Sequence, residues 1–81
     1  MKITVLLFGI LKDIIGENSL ELQLKNDTTT VASLKTQLLN EYTKLTLFSN
    51  FSVAVNEEYV TADYKLKAND VVALIPPVSG G

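Results

Sequence analysis

The stretch "VVALIPPVSGG" (residues 71–81) decides how the rest of the chain is read. Its first five residues are apolar and suit a buried strand. They run directly into Pro76. A residue before proline is driven toward extended geometry, so Ile75 can finish a strand but not a helix. Pro76 and Pro77 each fix φ, and together they favour an extended exit. Beyond Val78, the residues Ser79, Gly80 and Gly81 bring almost no side-chain volume, and glycine lets another backbone approach closely. Fully extended, residues 76–81 would reach about 20 Å. A final Gly-Gly is often no more than a frayed end. Rooted in a strand at the centre of a sheet, it reads instead as a stiff-based arm with a thin tip.

Working outward, "KITVLLF" (2–8) is the other continuously apolar strand. Strands buried on both faces carry such runs, which puts the first and last strands side by side at the sheet centre. Gly9 breaks the first one. In "ILKDIIG" (10–16), Ile10, Leu11, Ile14 and Ile15 fall at helical spacing and Gly16 supplies the stop. "SLELQL" (19–24) alternates, so Leu20, Leu22 and Leu24 should face inward. "NDTTT" gives a turn, with Thr30 as the N-cap of a helix of three to four turns. That helix buries Val31, Leu34, Leu38, Leu39, Tyr42 and Leu45. "FSVAVN" (51–56) is a strand, "NEE" turns it into "YV", and Asn69-Asp70 introduces the last strand. The order predicts an α+β fold with helices packed on a sheet. No repeat, linker or second domain interrupts it. The expected division is a folded domain over 1–75 and a flexible tail over 76–81, too poor in packing side chains to offset the entropy of being fixed.

Composition narrows the chemistry. The 81 residues are 47% hydrophobic with net charge −2, and the seven basic residues are scattered lysines with no arginine. Nucleic-acid binding needs a basic stripe, so that class is set aside. Without cysteine there is no disulfide, thiolate metal site or thiol nucleophile, and without histidine the usual general base is missing. No metal site is expected: Asp13, Glu17 and Asp63 lack ligand spacing. Glu57-Glu58 reads as a solvated turn, and Tyr42, Tyr59 and Tyr64 as packing residues, so none is given a role. The apolar runs are too short to cross a bilayer and no leader is evident, which predicts a cytoplasmic, soluble protein.

What remains is the final carboxylate. With an ordinary pKa of about 3.3–3.7 it is ionised at neutral pH and resists nucleophiles. It becomes an acyl donor only when another enzyme activates it, typically as a mixed anhydride with AMP. The tail therefore points to a substrate or carrier rather than a self-sufficient catalyst.

The element order and the Gly-Gly after a central last strand resemble the ubiquitin-like β-grasp fold and its sulfur carriers. Within that group the chain is most similar to the small subunits of molybdopterin synthases. The likeness rests on "LLFGILKDIIG", "TVASL", "VAVNEEYV" and "LKANDVVALIPPVSGG". Gly9 stands where the family commonly has alanine, and Lys12 where the helix often carries arginine. The resemblance implies a mixed sheet of about five strands, one long helix across one face, and a short helix after strand 1. It implies that an E1-like adenylyltransferase uses ATP to adenylate Gly81, and that sulfur then replaces the adenylate to give a thiocarboxylate. The tail, Pro76, Pro77, Val78, Ser79 and Gly80, would thread into the active site of a large subunit. There Gly81 would give sulfur to a cyclic pyranopterin phosphate, two transfers making the dithiolene of molybdopterin. Two small and two large subunits would form a heterotetramer, with no cofactor bound by the small one. Absence of cysteine agrees with an acyl-borne sulfur. Two readings share the same acyl adenylate: a ubiquitin-like protein modifier, and a sulfur carrier of another, thiamine-type pathway. A plain interaction domain with an incidental Gly-Gly is a third.

Strand parity adds a surface. If Ile3, Val5 and Leu7 face the helix, Leu6 and Phe8 lie on the opposite face. In the last strand, alternation leaves either Val71, Ala73 and Ile75 or Val72 and Leu74 on that face, and analogy with ubiquitin's tail spacing favours the first set. Such an apolar strip, ending where the tail departs, suits partner docking, unless loops or the short helix cover it.

Overall fold

The structure, a computed structural model, describes residues 1–24, 29–48 and 50–76, with the backbone alone at 47 and 48. Chain order is β1 (Lys2–Leu7), α1 (Gly9–Ile15), β2 (Ser19–Gln23), α2 (Val31–Glu41), a 3-10 helix (Thr43–Phe48), β3 (Ser52–Val55), β4 (Glu58–Tyr59) and β5 (Val71–Ile75). The five strands form one mixed sheet in the order β2-β1-β5-β3-β4. The two most apolar strands, β1 and β5, are central neighbours and run parallel, Thr4 beside Val71 through Leu7 beside Leu74. β2 flanks β1 and β3 flanks β5, both antiparallel. This is the α+β, ubiquitin-like β-grasp architecture expected of the element order.

Period-two burial decides the faces. Ile3, Val5 and Leu7 of β1 and Val72 and Leu74 of β5 are nearly solvent-free. They meet Val31, Leu34 and Leu38 of α2, Leu11 of α1 and Leu45 of the 3-10 helix in one core. Leu24 is buried with them, whereas Leu20 and Leu22 are half-buried, as edge-strand side chains tend to be. Thr30 caps α2, its Oγ1 accepting from the Ser33 amide at 3.2 Å. Gly16 closes α1 at φ 84°, with its amide donating to the Lys12 carbonyl.

One expectation needs correction. The apolar spacing through Leu45 predicts a single helix, but α2 stops at Glu41 and Tyr42 leaves helical geometry at φ −120°. Leu45 reaches the core from the separate 3-10 helix instead. A period of three and a period of 3.6 cannot be told apart over one turn, and no glycine marks the break.

The 60–70 segment has no long element, yet it is anchored. The Val31, Ala32 and Leu66 amides exchange bonds across it, donating to the Tyr64, Ala62 and Thr29 carbonyls at 2.8–2.9 Å. Leu66 is fully buried. Asp70 is the one buried charged residue among those described, 6% exposed. Its carboxylate accepts from Asn56 Nδ2 at 3.0 Å and from the Lys67 amide at 2.8 Å. Asn56 Oδ1 in turn accepts from the Val71 amide at 3.0 Å. This clamp ties the β3–β4 turn to the start of β5.

Candidate functional site

The sheet has a face that no helix covers. Leu6 of β1 is level with Ala73 of β5, Ala73 with Ala54 of β3, and Ala54 with Tyr59 of β4. Side chains directly across strands point the same way, so these four form one row over the outer face. The two alanines in the middle are short, and Leu6 and Tyr59 stand at its ends. A row shaped in this way is a trough. Val71 lies on one side of it along β5 and Ile75 on the other. With Phe8, Asn56 and Glu57, these residues line a groove of about 610 Å³.

Ala54 makes the geometry plain. It is 5% exposed but does not join the helix-side core; it is the groove floor. Around it Phe8 is 47% exposed, Tyr59 72% and Val71 38%. Neither a loop nor α1 closes over these side chains among the described residues. The groove is apolar at the Phe8–Ile75 end and polar at the Asn56–Glu57 turn.

The five residues expected on the outer strip, Leu6, Phe8, Val71, Ala73 and Ile75, all line this one groove. Sequence reading left out Ala54, Asn56, Glu57 and Tyr59. The register of β3 against β5 would have supplied them, because an outward Ala73 forces Ala54 outward too. Glu57 and Tyr59, given no role from the sequence, sit at the rim.

β5 delivers the chain to the apolar end of the groove. It is hydrogen-bonded on both sides, by β1 and β3, so its end is a firm root. Pro76 follows, half-buried against the β1–α1 corner. There Gly9 adopts φ 55°, and a Cβ on it would come within 3.1 Å of Pro76 Cγ. The remaining tail residues, Pro77, Val78, Ser79, Gly80 and Gly81, lie outside the described residues, as does the turn expected at 26–28. Among the described residues no cluster of His, Cys, Asp or Glu could hold a metal ion, and no helix is long and apolar enough to cross a membrane.

Known proteins match this chain over nearly its whole length. The ThiS family pattern matches residues 5–81, which includes the tail. The molybdopterin synthase sulfur carrier subunit of Dictyostelium discoideum is 39% identical over 80 residues, spanning 95% of this chain and 93% of that protein. Among solved structures, SAMP1 from Haloferax volcanii superposes with a TM-score of 0.85 at 24% identity, covering both chains completely, a likeness of fold alone. A chain from the complex of subunits 1 and 2 of the molybdopterin-converting factor of Helicobacter pylori matches with a TM-score of 0.72 at 26% identity, again over both full lengths. With nearly its whole length matched, the chain belongs to the ThiS family.

Proposed function

We propose that this chain is the sulfur carrier subunit of a molybdopterin synthase, with Gly81 as the acyl group that bears sulfur. The carrying observation is the placement of the tail's root. A doubly paired central strand ends at Ile75, which lines an open apolar groove, with Pro76 next in the chain, and the family match continues from that strand through Gly81. The relationship to a named sulfur carrier subunit supports the same reading.

In this scheme an E1-like adenylyltransferase joins the Gly81 carboxylate to AMP from ATP, releasing pyrophosphate. A sulfur nucleophile displaces AMP and leaves a thiocarboxylate. The groove, through Leu6, Phe8, Val71, Ala73 and Ile75, seats the large subunit. Pro76 to Gly80 then enter that subunit's active site, where Gly81 gives sulfur to cyclic pyranopterin phosphate. Repetition builds the dithiolene. The subunit binds no cofactor of its own and works in the cytoplasm, in a heterotetramer of two small and two large subunits.

The test is to lengthen the chain by one residue after Gly81. The longer chain should fold with unchanged thermal stability, bind the large subunit, and give no molybdopterin in a reconstituted synthesis. Full activity from the extended chain would remove the terminus from the mechanism.

A further inference from the structure

Among the residues lining the open groove, Glu57 alone carries a charge. Its neighbour Glu58 pairs with Val55, which belongs to the helix-side core, so the Glu58 side chain leaves on that other face. Among the described residues nothing pairs with the Glu57 carboxylate. Its backbone sits at φ 73°, in the second central position of a hairpin turn where glycine is the usual occupant. A side chain kept at a strained position beside a binding surface points to function rather than stability. The turn that carries it is firmly anchored. The Asn56 amide donates to the Val71 carbonyl at 2.8 Å, and the Val71 amide returns a bond to Asn56 Oδ1 at 3.0 Å. The buried Asp70 carboxylate accepts from Asn56 Nδ2 at 3.0 Å. Glu57 is thus presented at the groove's polar end on a turn tied to β5.

We infer that Glu57 is the specificity-determining residue of the groove: its carboxylate receives a lysine or arginine side chain of the large subunit. The inference rests on the carrier reading for the identity of that partner. A protein that fills the apolar trough between Leu6 and Tyr59 also covers the turn at its end. A carboxylate stripped of water there lowers affinity unless the partner brings a cation to it. Glu57 therefore selects one kind of surface, an apolar ridge with a basic residue beside it. It works against ridges that are neutral or acidic at that point. Asn56 and Asp70 contribute by holding the turn, and need not touch the partner.

The experiment titrates the large subunit with full-length wild type, Glu57→Gln, Glu57→Asp, Glu57→Gly, Glu58→Gln and Ala73→Glu. Calorimetry is run at about 0.1 M and about 1 M salt, across which the screening length falls from about 10 Å to about 3 Å. Glu57→Gln should weaken binding at least about fivefold at the lower salt and by less at the higher, as loss of a charge pair does. Glu57→Asp keeps the charge and should stay within about threefold of wild type. Glu58→Gln removes the same charge from the other face and should stay within about twofold. Glu57→Gly should raise Tm yet weaken binding. A residue that served only the turn would lose binding together with stability, so this split identifies recognition. Wild-type affinity in Glu57→Gln, or an equal loss in Glu58→Gln, overturns the inference. If Ala73→Glu still weakens binding in that case, the groove remains the docking face and Glu57 alone is excluded. If Ala73→Glu also binds normally, the groove and the inference fall together. A wild type that does not bind a competent large subunit overturns the carrier reading and the inference with it.

Discussion

Asn56 and Glu57 form a two-residue turn, at φ 50° and 73°, between the paired residues Val55 and Glu58. Two central residues at positive φ make this a type I′ hairpin turn, whose usual sequence is Asn-Gly. Asn56 suits its place and is held there by Asp70 and Val71. Glu57 does not, since a left-handed conformation costs a residue with a Cβ roughly 1–2 kcal/mol. Glu57→Gly should therefore stabilise the fold by about 1 kcal/mol, raising Tm by about 4–8 °C for a domain of this size. A lower Tm in calorimetry would show that the Glu57 side chain makes a contribution larger than its strain. The turn itself was legible in "NEE"; its hand was not, because the sequence lacks the glycine that normally announces it. Asp70 was legible only as a strand opener. Its burial follows from a partner fourteen residues away, which local pattern cannot show.

Among the elements, those with strong period or punctuation were read correctly. β5 is bounded by Asn69-Asp70 and Pro76, and α1 by Gly9 and Gly16, and their limits follow the sequence closely. β2 was given by the alternation of leucines. The 3-10 helix was missed for want of any breaker between Tyr42 and Leu45. Leu66 was also missed. It sits in "YKLKAN", where a single apolar residue among polar ones reads as loop, yet the hydrogen bonds to the start of α2 pull that loop under the helix. Leu66 is only 1% exposed, so Leu66→Ala should cost about 2–5 kcal/mol, as other buried leucine truncations do. Urea denaturation measures it. A loss below about 1 kcal/mol would mean that the loop collapses onto the cavity and contributes little to the core.

Across the whole molecule, one face of the sheet builds the core and the other builds the groove. The first face is readily legible, because β1 and β5 alternate around a single apolar seam. Parity puts Leu6 and Phe8 on the second face and the ubiquitin analogy adds Val71, Ala73 and Ile75, but the part supplied by β3 and β4 is not legible, because its placement beside β5 depends on long-range pairing. The alanine floor argues for a partner that inserts a ridge. Ala73→Glu fills the trough with a charged side chain while leaving the helix side untouched. It should weaken binding of the large subunit at least about tenfold in titration calorimetry, since an unpaired charge in a desolvated interface is costly, with little change in Tm. Undiminished binding would place the partner elsewhere.

The central claim, that Gly81 is the sulfur-bearing acyl group, meets its most direct test in intact-mass spectrometry of the chain after incubation with its activating enzyme, ATP and a sulfur donor. A single change is expected, one oxygen replaced by sulfur, located at the C-terminal glycine by fragmentation. An unaltered mass with an activator proven competent on another carrier, or sulfur found at any other position, would contradict it.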